Sequence, residues 1–222
     1  MRPFKFIFFD VGNTLLFANR ERMLAPLHQR GIRPPEELLL AVERRTKREF
    51  DDILEHGGKV DHGFWDVFYT RLFQDLGLND EGARQEVIAN TRLSSNWDRV
   101  RPGTREELVR LSERWPIAVI SNSDGKIADL LFRCGIGDCF RTITDSGVVG
   151  REKPHPEIFA AALKSVDAKA EDSLYVGDLY AVDYCGATQA GMQAVLFDAS
   201  GAYRDKGLPR VESLRELQAL IG

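Results

Sequence analysis

Cysteine is scarce in this chain: Cys134, Cys139 and Cys185 are the only three among 222 residues, and none has CxxC spacing. That excludes a disulfide-stapled scaffold and a structural zinc finger, and each thiol is expected as a small buried apolar residue in a reducing cytoplasm. Long hydrophobic runs are also missing. No stretch reaches the ~18–20 apolar residues of a membrane span. The short run Phe6–Phe9, behind Arg2 and Lys5, stops at Asp10, too early for a signal-peptide core. Positive charge is not in excess: 30 Lys+Arg against 34 Asp+Glu leave a formal net charge of -4, which argues against nucleic acid or an anionic membrane as partner. Repeats and low-complexity tracts are absent.

The composition that remains, 43% hydrophobic and 29% charged, supplies a sizeable core for one large domain or a core domain with an insertion. Nothing in it calls for more than a monomer or weak homodimer. Short apolar runs recur along the chain: FKFIFF (4–9), PIAVI (116–120), CFRTI (139–143), SLYV and QAVLF (193–197). They are nearly continuous rather than alternating, as in a parallel sheet covered on both faces. Between them lie helix patterns. Thr104 and Glu107 match a capping box. Ile127, Leu130, Leu131 and Cys134 form one face before Gly135, and Pro156 stands at a first helical position before Ile158, Phe159, Ala162, Leu163 and Val166. Alternating strands and helices predict an α/β doubly wound parallel sheet, built from residues 1–19 and 98–222.

Residues 20–97 break that rhythm. They hold no strand pattern and are rich in helix formers, so an inserted all-helical module of roughly four helices is expected. Within it, Phe64, Trp65, Phe68 and Leu72 recur at helical spacing and read as module core. The charged run ERRTKRE reads as a solvated face. His62 and His155 read as surface or turn residues, with His62 the one histidine that could face a site from the insertion.

In an open parallel sheet, ligands bind beyond the carboxyl ends of the strands. The residues found there are Asp10; Ser121 with Asn122; Lys153, after the strand ending near Asp145; and Asp178, followed by Asp183. A carboxylate can attack phosphorus, a pair of acids can hold a hard divalent cation such as Mg²⁺, and a lysine can offset charge gathering on a phosphoryl group. Ser121 and loop amides would hold the phosphoryl oxygens.

Four stretches, FFDVGNTLL, VISNSDG, GREKPHPEIF and YVGDLYAVDYCGA, resemble in order the four motifs of the haloacid dehalogenase (HAD)-like hydrolases. The insertion resembles the helical cap that one subgroup carries between the first two motifs. The resemblance implies a Rossmann-like core and Mg²⁺-dependent hydrolysis of a small phosphorylated metabolite. It gives Asp10 the nucleophile's place and a metal-ligand role, Gly12 a backbone carbonyl toward the metal, and Ser121 with Asn122 the phosphate contacts. Lys153 takes the charge-balancing place, Asp178 the acidic metal ligand and Asp183 its outer support. The departure is Gly12. Phosphatases of the family usually carry there a second aspartate, which protonates the leaving alkoxide and then activates water against the aspartyl-phosphate; Gly12 can do neither, and Asn13 has no titratable proton to replace it. Loss of a general acid/base costs about 10²–10⁴ in rate. A metal-free dehalogenase and a catalytically weak relative that binds a phosphometabolite or a protein therefore stand as alternatives. Asp178 weighs against the dehalogenase, whose chemistry has no use for a metal ligand.

Overall fold

The computed structural model describes residues 2–57 and 63–222, so the reading of His62 lies outside the described residues. Four of the short apolar runs become strands β1 (Phe6–Phe9), β4 (Ile117–Ser121), β6 (Ser173–Gly177) and β7 (Gln193–Phe197), whereas CFRTI (139–143) enters strand only at its last residue, which opens β5 (Ile143–Asp145). The two-residue β8 (Arg210–Val211) completes a sheet of order β5-β4-β1-β6-β7-β8. Every pairing in it is parallel. Ile7, Phe9, Val119 and Val176 pack into the core on one face, while Phe8, Ile120 and Tyr175 turn to the other, so both faces are covered as the continuous hydrophobicity predicts. A two-residue antiparallel ribbon, β2 (Leu16–Phe17) with β3 (Arg99–Val100), pairs the chain where it leaves β1 with the chain where it returns.

Between these ribbon strands lie α1 (Arg20–Met23), α2 (Ala25–Gln29), α3 (Glu36–Glu55), α4 (Gly63–Asp75) and α5 (Glu81–Arg92), five helices among the described residues where four were expected. Their apolar faces form a separate cluster that includes Leu27, Val42, Phe50, Phe68, Tyr69, Leu72 and Val87. The remaining helices, α6 (Thr104–Ser112), α7 (Ile127–Arg133), α8 (Ser146–Val149), α9 (Pro156–Ser165), α10 (Cys185–Gln189) and α11 (Leu214–Ile221), belong to the connections and end of the sheet. No described helix is long and apolar enough to cross a membrane.

Three local expectations need correction. The cap of α6 is Gly103, in the left-handed region at φ 83°, and no side chain caps the helix; Thr104 is already helical, so the capping box does not form. All three cysteines are half-buried rather than buried. The run ERRTKRE is not a solvated face. Arg44, Lys47, Arg48 and Asp51 recur on one stripe of α3, and that stripe docks on the sheet's loops. Arg44 Nη1 donates to the Ser200 carbonyl (3.3 Å) and Arg48 Nε to the Ala202 carbonyl (2.9 Å). The Ala181 amide donates to Asp51 Oδ1 (2.9 Å). Charged residues at this spacing look alike in sequence whether they meet water or a partner's carbonyls.

Candidate active site

The carboxyl ends of β4, β1 and β6, adjacent in the middle of the sheet, carry Ser121, Asp10 and Asp178. The Asp10 amide donates to the Val176 carbonyl (2.8 Å), so the acid is fixed as a continuation of two paired strands. The chain then closes a tight loop: the Val11 carbonyl accepts from the amides of Leu15 and Leu16, both at 2.9 Å, and Asn13 takes a left-handed conformation (φ 54°). Asn tolerates that conformation better than most residues.

Lys153 is the hub. Its side chain is buried, and its Nζ donates to Asp10 Oδ1 (2.6 Å), Asp183 Oδ1 (2.8 Å) and the Tyr175 hydroxyl (2.8 Å). Its main chain is clamped by Asn122, whose Oδ1 accepts from the Lys153 amide (2.7 Å) and whose Nδ2 donates to the Lys153 carbonyl (3.0 Å). Asn122 also lines the cavity, and holding the lysine's main chain takes its Oδ1 and one of its two Nδ2 hydrogens. Ser121 is buried and also lines the cavity.

Asp183 is delivered by a π-helical turn, Tyr180–Tyr184, of the kind that re-aims a side chain. Its Oδ2 accepts from the Leu179 amide (2.9 Å), so both of its oxygens are occupied by protein donors. It packs against Gly177, where an added Cβ would lie 2.5 Å from the Asp183 carboxyl carbon. Only glycine admits this approach.

Three residues of the site escape the sequence reading. Lys47, from α3, is 1% exposed and donates to Asp178 Oδ2 (2.7 Å) and to the Asp178 carbonyl (3.1 Å). Tyr175 is a second, hidden because a tyrosine inside an apolar strand reads as core; its hydroxyl also donates to the Ile120 carbonyl (3.2 Å). Trp97 is the third. Its indole Nε1–H donates to the Thr91 carbonyl (2.8 Å), and its six-membered ring lies 3.7 Å from where a Cβ on Gly12 would stand.

Burial dominates the electrostatics. It pushes the Asp10 carboxyl up to about 7, against the pull of Lys153 and with added repulsion from Asp183 and Asp178. It raises Asp178 too, against Lys47. For both lysines burial acts to discharge the ammonium, but the neighbouring carboxylates win and hold each above its ordinary value. Asp10, Asp178 and Asp183 offer oxygens that all lie within 4.8 Å of one another. Three carboxylates against two ammonium groups leave negative charge uncompensated in a buried site, and the donors are all hard oxygens. That set fits a hard divalent cation.

Asp10, Lys153, Asp178 and Asp183 floor a cavity of about 370 Å³ whose walls include Gly12, Asn13, Phe64, Trp65, Arg92, Trp97, Asp124 and Val182. Phe64 and Phe68 enter the helical cluster as expected, but Phe64 and Trp65 also face this cavity, so the aromatic stripe is not purely core.

Strand-end acids, a buried lysine and a cavity under a helical layer define a hydrolase of α/β type. The chain belongs to the haloacid dehalogenase-like hydrolases, whose family model matches residues 4–191. It is 32% identical over 195 residues to a glyceraldehyde 3-phosphate phosphatase of Pyrococcus abyssi, covering 87% of this chain and 81% of that one. To haloacid dehalogenase-like hydrolase domain-containing protein 3 of Xenopus laevis it is 31% identical over 206 residues, 86% of this chain and 83% of the other. Among solved structures, the putative HAD-hydrolase YfnB of Bacillus subtilis, bound to magnesium, superposes over the full length of both chains with a TM-score of 0.72 at 18% identity, which establishes the shared fold. With relatives named as phosphatases at this identity, the chain is a hydrolase of the phosphatase kind.

Proposed function

We propose that the chain is a Mg²⁺-dependent phosphohydrolase that handles a small phosphorylated metabolite through an aspartyl-phosphate on Asp10, with residues 20–97 acting as its cap. The observation that carries this is the Asp10–Lys153–Asp183 contact set, buried at the cavity floor beside Asp178. Asp10 Oδ2 takes only a long hydrogen bond from Thr14 Oγ1 (3.4 Å), which leaves it the freer oxygen for attack. Lys153 holds Oδ1 and orients that attack. Ser121 and the amides after β4 lie where phosphoryl oxygens would sit, and Asp183 keeps Lys153 in place. Mg²⁺ would be held by Asp10, the Gly12 carbonyl and Asp178, and would supply countercharge to the phosphoryl oxygens.

The test is phosphate release by purified protein from a panel that includes glyceraldehyde 3-phosphate and acetyl phosphate, with Mg²⁺ and with chelator. Expected are Mg²⁺-dependent turnover and a phosphate label retained on the protein, both lost in Asp10→Asn. Halide release from 2-haloacids without metal, and no phosphate release, would establish the dehalogenase alternative instead.

A further inference from the structure

We propose that the substrate is a phosphate monoester of a planar, uncharged aromatic alcohol, a phenol or its heteroaromatic equivalent. This inference rests on the phosphatase reading above. Two independent observations point to it. The first is the missing acid. With Gly12 in place of a carboxylic acid, the ring of Trp97 faces the vacant side-chain position, and its one N–H is spent on the Thr91 carbonyl. Asp124, the remaining carboxyl group on the described wall, accepts from Ser94 Oγ (3.1 Å) and the Lys126 amide (3.3 Å). Lys47 points at Asp178 and does not line the cavity. Among the described residues, then, no side chain stands ready to hand a proton to a leaving oxygen. An alkyl alkoxide, with a parent acid near water's pKa of about 15.7, needs that proton. A phenoxide does not: a phenol ionises near pH ~10, as tyrosine does.

The second observation is the wall itself. Phe64, Trp65 and Trp97 face the cavity together, with ring centroids 4.9 Å apart for Phe64–Trp65 and 5.4 Å for Trp65–Trp97. Such faces receive a planar ring by offset or edge-to-face contact. The cations of the wall are already engaged by acids: Arg92 by Asp66 (2.9 Å) in a pair exposed to solvent, and the buried Lys153 by Asp10 and Asp183, so among the described wall residues no buried cation is left unpaired for a second anionic group on the substrate.

The step balances without a protein acid. Asp10 Oδ2 forms a bond to phosphorus, the P–O(aryl) bond breaks, and its electron pair leaves on the aryl oxygen, which later takes a proton from solvent. Water then attacks the phosphorus of the mixed anhydride and releases the Asp10 carboxylate and phosphate, with its proton passing to bulk water.

The deciding experiment is binding, because it needs no turnover. Phenylphosphonate and methylphosphonate share the phosphoryl group and differ in the ring, and tryptophan fluorescence reads both in the presence of Mg²⁺. Phenylphosphonate is expected to bind at least about tenfold tighter, and that ratio should fall toward one in Trp65→Leu. A ratio of two dissociation constants on one preparation is insensitive to the fraction of protein folded. Trp97→Leu provides a second variant. Equal affinity for the two ligands in the wild type, or a ratio unmoved by both substitutions, overturns the inference. Hydrolysis separates the two readings: a kcat/KM for 1-naphthyl phosphate no higher than that for glycerol 3-phosphate defeats the aromatic assignment while the phosphatase stands. No phosphate release from any ester or acyl phosphate defeats the phosphatase reading, and the phosphonate ratio then still decides what the cavity binds.

Discussion

At Gly12 the backbone lies outside the left-handed region, and an added Cβ would touch Trp97 at 3.7 and 3.9 Å, ordinary contact distances. A side chain is therefore admissible there, and Gly12→Asp is expected to fold. Its carboxyl group would stand where the family's general acid stands. The kcat/KM of an alkyl phosphate, which reports transfer of its phosphoryl group to Asp10, should rise about 10²–10⁴-fold, with little change for an aryl phosphate, whose departure needs no proton. Steady-state kinetics on glycerol 3-phosphate and phenyl phosphate check this, and equal gains on both would show that protonation is not what the wild type lacks. At this same scale the site is legible in sequence only where a side chain is announced by its element. Asp10, Ser121 and Asp178 each end or follow an apolar run, and Lys153 stands close before a Pro-led helix. Lys47, Tyr175 and Trp97 carry no such announcement. Lys47 sits in a charged helix and Tyr175 in an apolar strand, patterns whose ordinary meaning is something else, and Trp97 lies in a loop that no pattern marks.

At the scale of elements, β6 and the π-helical turn after it meet through Gly177, the point where strand becomes loop and Asp183 folds back. Gly177→Ala puts a methyl group 2.5 Å from the Asp183 carboxyl carbon and 2.7 Å from its Cβ. Asp183 must then move, and its hydrogen bonds to Lys153 and Tyr175 move with it. The expected result is destabilisation of about 1–3 kcal/mol, the usual cost of overpacking, measured by urea unfolding. A fall in activity well beyond that loss of folded protein should accompany it, because Lys153 loses one of its two anchoring carboxylates. Activity that fell only in step with stability would mean that Asp183 fills space and no more. Strands of four or five residues are readable from hydrophobicity, whereas β2, β3 and β8 have two residues each, too few for any period to show. Their pairing is set by the paths of the neighbouring chain, which sequence does not display.

Across the whole molecule, α3 is what joins the helical layer to the sheet. It does so with ionised groups, beside the apolar contact that Val182 makes with the helical cluster, and those ionised groups make the junction responsive to cations and to pH. Lys47 alone balances Asp178 from the helical side, and a buried pair cut to one partner costs about 3–5 kcal/mol. Lys47→Met should lose that much in divalent-free buffer. Mg²⁺ should then raise the melting temperature of the variant more than that of the wild type, since a dication can take over the balancing of Asp178 and binding to the native state stabilises it. Equal shifts in the two proteins would separate Asp178 from the metal.

Asp51, one helical turn further along α3, responds to protons instead. Burial raises its carboxyl to about 6, only partly offset by the Ala181 amide. An unfolded aspartate ionises near 3.9, so between roughly pH 4 and 6 the native state binds the extra proton. Stability contributed by this group is therefore full below pH 4 and is lost as pH rises through 6, by an amount on the order of 1–3 kcal/mol. Asp51→Asn keeps an oxygen for the Ala181 amide and cannot ionise. Urea unfolding from pH 4 to 7 should show a shallower decline for the variant than for the wild type, with the variant gaining relative stability at the upper end. Parallel curves would mean that Asp51 ionises at the same pH in the folded and unfolded chain, and that the junction between helical layer and sheet is insensitive to protons at this position.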